Sequence, residues 1–75
     1  MKDEVLQVLE EEYPEIDFRS SDKLVTDGIL DSLTITGIIA TLSAEFDISI
    51  SYDDIVEENF NSVEALAAMV KRLQE

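Results

Sequence analysis

The chain has 75 residues, enough for one small domain with a thin core. It contains neither cysteine nor histidine, which removes disulfides, thiolate ligands, the common zinc ligand and the usual general base near neutral pH. Eighteen acidic residues against five basic ones give a net charge of -13, unsuited to binding nucleic acid phosphates or an anionic membrane surface. Such acidity supports solubility and attracts basic protein surfaces.

In chain order, Val5, Leu6, Leu9 and Tyr13 recur at helical spacing, with Val8 beside them and Glu10, Glu11 and Glu12 on the polar side. The pattern predicts an amphipathic helix from about Lys2 to Glu12, ended by Pro14, which disfavours helix at Tyr13. The connection from Tyr13 to Leu30 is long for so small a domain. Ile16, Phe18, Leu24, Val25, Ile29 and Leu30 give it side chains with which to pack, so an ordered loop is expected.

A second helix is predicted from Asp31, a good N-cap. Ile35, Ile38, Ile39, Leu42 and Phe46 share one face; Leu33, Gly37, Ala40, Thr41 and Ala44 share the other. From Ser32 to Ala44 there is no charged residue, in a chain that is 31% charged. Asp47 to Ser51 alternates polar and apolar but has no strand to pair with, and reads as an extended connector. Tyr52 to Glu58 reads as a short helix with Ile55 and Val56 inward. The last helix opens at Asn61 or Ser62 as competing caps and carries Val63, Leu66, Ala67, Val70 and Leu73 inward. The fold class is therefore all-α, a single domain over residues 1–75: a small bundle of three main helices and one short one, with a long ordered first loop.

Ser32 is the leading candidate site. In the first turn of a helix the backbone N–H groups lack partners and the dipole is positive, so a phosphate on the serine oxygen is stabilised there. Capping by Asp31 and Ser32 explains the same residues without any ligand. The acidic runs Asp53-Asp54-Glu57-Glu58 and Glu10-Glu11-Glu12 read as solvated faces, and no metal site is expected. An EF-hand starting at Asp22 is excluded because Leu24 falls where an oxygen ligand is required.

Asp27-Gly28-Ile29-Leu30-Asp31-Ser32-Leu33, followed by an amphipathic helix ending Glu45-Phe46-Asp47-Ile48, resembles the phosphopantetheine attachment region of acyl carrier proteins. That family includes peptidyl carrier domains and D-alanyl carrier proteins. The similarity covers nearly the whole chain in length, acidity, helix order, first loop and Phe-Asp-Ile exit. It implies that Ser32 receives 4'-phosphopantetheine from coenzyme A, and that the arm's thiol carries an acyl or aminoacyl group as a thioester. Asp31 and Leu33 would flank the cofactor. The implied partners are a phosphopantetheinyl transferase, a loading ligase or acyltransferase, and downstream acceptor enzymes. The chain itself would be no enzyme, and by the same resemblance a monomer. Met1-Lys2-Asp3-Glu4 lacks the apolar run of a signal peptide and no segment is long enough to span a bilayer, so a cytoplasmic carrier is expected.

Carriers of fatty-acid synthesis usually place acidic residues on the exposed face of this helix. Here Thr34, Gly37, Ser43 and Ala44 stand at those positions. The uncharged face of Leu33, Thr34, Gly37, Ala40, Thr41 and Ala44 suggests partners that dock by shape and apolar contact, closer to D-alanyl or peptidyl carriers. Acids elsewhere, such as Asp53, Asp54, Glu57 and Glu58, offer another docking route. A cargo chain could also lie between Ile35, Ile38, Ile39 and Leu42 and the facing Val63, Leu66 and Val70, if these are not simply core. The alternative function is a small acidic adaptor that binds a partner helix or groove through the same uncharged face, unmodified.

Overall fold

The computed structural model describes all 75 residues. Helix α1 spans Lys2–Glu12, α2 Ser32–Phe46, α3 Glu57–Phe60 and α4 Val63–Gln74; a single 3-10 turn covers Tyr52–Asp54. The expected all-α bundle is present, with α1 against α4 and α2, and α3 against α4. Fifteen residues are buried and every one is apolar.

Helix α1 ends where Pro14 requires it to, with the Tyr13 N–H closing on the Leu9 carbonyl at 2.8 Å. Its Val5, Leu6 and Leu9 are buried, and Tyr13 is half-buried. Helix α2 buries Ile38 and Leu42, with Ile35, Ile39 and Phe46 half-buried along the same stripe. It stops at Asp47, which takes a left-handed conformation at φ 53°. The Ile48 N–H then returns to the Ser43 carbonyl at 3.2 Å while the Ile48 side chain is buried, the double arrangement that ends many helices. Asp tolerates this φ better than most residues.

The first loop is ordered by its own side chains. Phe18, Leu24 and Leu30 are buried, whereas Ile29, expected to pack, is turned outward. Asp17 accepts from the Arg19 N–H at 3.1 Å, and Ser21 Oγ accepts from the Lys23 N–H at 2.9 Å, so short polar residues close successive turns. Gly28 has φ +78°, a conformation that favours glycine, and its N–H reaches the Val25 carbonyl at 3.0 Å. Arg19 lies 3.7 Å from the Glu10 carboxylate.

One local expectation is corrected and one open choice of cap is resolved. Tyr52 to Glu58 is not one helix. A 3-10 turn is held by Ser51 Oγ on Asp54 Oδ2 at 3.0 Å and by Asn59 Nδ2 on the Asp54 carbonyl at 2.8 Å. The β-branched pair Ile55-Val56 then runs extended and is 43% and 39% exposed, and Phe60 of α3 enters the core instead. At the start of α4 the cap is Ser62, whose Oγ accepts from the Ala65 N–H at 3.0 Å. Asn61 is drawn away to bond the first loop. The inward stripe of α4 is also wider than read, because Met69 is buried beside Val63, Leu66, Ala67 and Val70, while Leu73 is half-buried.

Candidate functional site

Ser32 is the first residue of α2 and is exposed. Asp31 caps the helix: its backbone is extended and its Oδ1 accepts from the Thr34 N–H at 2.8 Å. That bond, strengthened by the Thr34 hydroxyl, holds the Asp31 carboxyl below the usual aspartate range. The Asp31 carbonyl accepts from Ile35 at 2.9 Å, and the Ser32 carbonyl from the Thr36 hydroxyl at 2.8 Å. The N–H groups of Ser32 and Leu33 bond to no backbone carbonyl, and the Asp31 carboxylate also draws on the Leu33 N–H. The serine hydroxyl thus stands at the positive end of a helix of 15 residues, beside first-turn N–H groups that no backbone carbonyl claims, a setting that favours a phosphate.

Leu33 is 84% exposed, and Ala40 and Ala44 continue an open strip along α2. Thr34, Gly37 and Thr41 are half-buried on its flank. Gly37 is a packing residue, because a Cβ there would strike the Tyr13 hydroxyl. Three further apolar side chains are exposed: Tyr52 at 80%, which the sequence reading passed over, and the Ile55-Val56 pair, which it expected inward. Their setting in an acidic segment is the signal that could have marked them, since apolar residues there have a reason to be wet or buried, and here they are wet.

Val25, Ile35, Ile55, Val56 and Phe60 line a shallow apolar pocket of about 120 Å³ with Glu57 at its edge. It lies one turn from Ser32 along α2. By contrast Ile38, Leu42, Val63, Leu66 and Val70 are all buried, and no cavity opens between them. A polar cleft of about 580 Å³ lies between the starts of α1 and α4 and residues 18–22, and includes no residue of α2. The acidic runs gather no set of three or more carboxylates able to hold a metal ion.

A family model described as the phosphopantetheine attachment site matches residues 2–70. The chain belongs to that family. Its prosthetic group is accordingly 4'-phosphopantetheine, and it acts as a carrier domain whose partners are enzymes. The exposed hydroxyl at the start of α2 fits a phosphodiester, and the lack of cysteine leaves the arm's thiol without competition from the chain. No curated protein and no solved structure matches the chain significantly. No helix is long and apolar enough to cross a membrane.

Proposed function

We propose that Ser32 is the attachment residue and that the protein shuttles an acyl or aminoacyl group between partner enzymes. The observation that carries this reading is the exposed Ser32 hydroxyl in the first turn of α2, beside N–H groups that no backbone carbonyl claims. In the attachment step Ser32 Oγ attacks the pantetheine-bearing phosphorus of coenzyme A. The bond to the remaining nucleotide breaks, adenosine 3',5'-bisphosphate leaves, and the serine proton goes to a base.

That base belongs to the transferase. The chain has no histidine, and the nearest carboxylate, Asp31, is a poor proton acceptor because the Thr34 N–H stabilises its charge. Asp31 instead fixes the helix start and holds the serine in position. Once bound, the group supplies the thiol on which cargo rides as a thioester. The first-turn N–H groups of Ser32 and Leu33 hold the phosphate, and Leu33 offers a partner an apolar anchor beside it.

Partners are a phosphopantetheinyl transferase, a loading enzyme and downstream acceptors. The neutral strip of Leu33, Ala40 and Ala44, flanked by Thr34, Gly37 and Thr41, favours an adenylating ligase that loads an aminoacyl or small acyl group, as for D-alanyl and peptidyl carriers. The test is the intact mass after incubation with coenzyme A and a broad-specificity transferase. The wild-type chain gains one phosphopantetheine and Ser32→Ala gains none. No gain in the wild type would leave the unmodified adaptor as the better account.

A further inference from the structure

Asn61 sits between α3 and α4, 29 positions beyond Ser32 in the chain, yet it is bonded to the loop that leads to Ser32. Its Oδ1 accepts from two consecutive loop amides, Val25 at 2.9 Å and Thr26 at 3.1 Å. Its carbonyl accepts from the Leu24 N–H at 2.8 Å, and its Nδ2 donates to Thr26 Oγ1 at 3.2 Å. Thr26 Oγ1 in turn donates to the Glu57 carboxylate. One side chain and its own carbonyl therefore satisfy three successive amides across a separation of 35 or more residues.

Leu24 passes this fixation on. Its carbonyl accepts from Ile29 at 2.9 Å and from Leu30 at 3.0 Å, and both Leu24 and Leu30 are buried. Leu30 immediately precedes the cap Asp31, whose side chain sets the first turn that contains Ser32. A continuous path of hydrogen bonds and buried leucines thus runs from Asn61 to the start of α2. An asparagine able to cap α4 is spent on this path while Ser62 does the capping.

We infer that Asn61 is a positioning residue for the attachment serine: its side chain holds the Val25 and Thr26 amides next to Leu24, and so steadies the Leu24–Leu30 turn and the setting of Ser32 presented to the transferase. This rests on Ser32 being the attachment residue. Losing the shared acceptor frees the Val25 and Thr26 amides, lets the loop relax and misplaces the nucleophile.

The experiment uses the full chain, with kcat and KM for phosphopantetheine transfer and amide hydrogen exchange measured on the same samples. Asn61→Ala lowers kcat/KM on the order of tenfold, as small misplacements of a reacting group do. It also speeds exchange at Leu24, Val25, Ile29 and Leu30. Asn61→Asp keeps the acceptor and loses less than Asn61→Ala in both readouts. Leu73→Ala, in the last turn of α4, lowers the melting temperature without changing kcat/KM at a temperature where all variants are folded. Thr26→Val, a milder change that removes only the hydroxyl links, gives a smaller loss than Asn61→Ala. Unchanged exchange and turnover in Asn61→Ala overturn the positioning role alone. An equal loss in Leu73→Ala overturns it as well, by assigning the effect to general stability. If wild-type Ser32 is not modified, the attachment reading and this role fall together, even where exchange responds.

Discussion

The phenol oxygen of Tyr13 stands over Gly37, in the space into which a Cβ would project. This contact lets the end of α1 lie close against the middle of α2, and it turns a helix-weakening residue into a packing requirement.

In an open helix, Gly→Ala gains about 1 kcal/mol from backbone propensity. At Gly37 the added methyl must displace the Tyr13 ring, and overpacking costs about 1–3 kcal/mol. Gly37→Ala is therefore expected to give no gain or a net loss. In a Tyr13→Ala background the same change should stabilise by about 1 kcal/mol. Urea denaturation of the four variants measures this coupling, and additive effects would refute it. A docking test that substitutes Gly37 with a large side chain would disturb this contact as well as the surface.

Asp31 gives a pH dependence with a definite sign. Its carboxyl is held below its ordinary value by the Thr34 N–H, so the folded state favours the ionised form. The resulting stabilisation is complete above the unfolded pKa of about 3.9, and is lost as pH falls through the lower folded value. The stability difference between wild type and Asp31→Asn should shrink between about pH 5 and pH 2. A difference independent of pH in that window would show that the cap acts without its charge.

Only three ion pairs form, Met1–Glu4, Lys2–Glu64 and Arg19–Glu10, and each has at least one exposed partner. Each is worth about 0–1 kcal/mol. Against them stands a net charge of -13 within 29 × 24 × 19 Å. At 0.01 M salt the screening length of about 30 Å spans the whole molecule, and at 0.15 M it falls to about 8 Å. The melting temperature should rise between these conditions. A constant or falling value would mean that the pairs outweigh the repulsion.

Leu33 separates docking from folding. At 84% exposure its truncation to Ala should change stability by less than about 0.5 kcal/mol. Turnover of the loaded carrier by its partner enzyme is expected to fall. Unchanged turnover would remove Leu33 from the proposed docking strip.

The main helices were legible because their signals are local. Apolar spacing in α1, α2 and α4, Pro14 after α1 and Asp31 before α2 each act within a turn or so of the residue concerned. Ser32, the proposed attachment residue, is marked in the sequence by its place at a helix start and by the resemblance of its surroundings. What sequence reading missed depends on distant contacts. Tyr13 and Gly37 are 24 positions apart, so nothing nearby marks the glycine as a packing position. Asn61 looks like a cap until the loop amides that claim it are brought alongside. Ile55 and Val56 look inward by composition, but Phe60 takes the core volume and the Asp54 turn holds them out.

The uncharged surface of α2 also has a kinetic consequence. With the proposed docking strip neutral, long-range attraction to a cationic partner comes from acids outside it, Glu45 at the end of α2 and Asp53, Asp54, Glu57 and Glu58 beyond the helix. Capture and seating are thereby divided between different residues. Added salt should slow the arrival of a partner while leaving its residence time nearly unchanged. The carrier can then be found quickly in dilute solution and still be released at a rate set by a few neutral side chains.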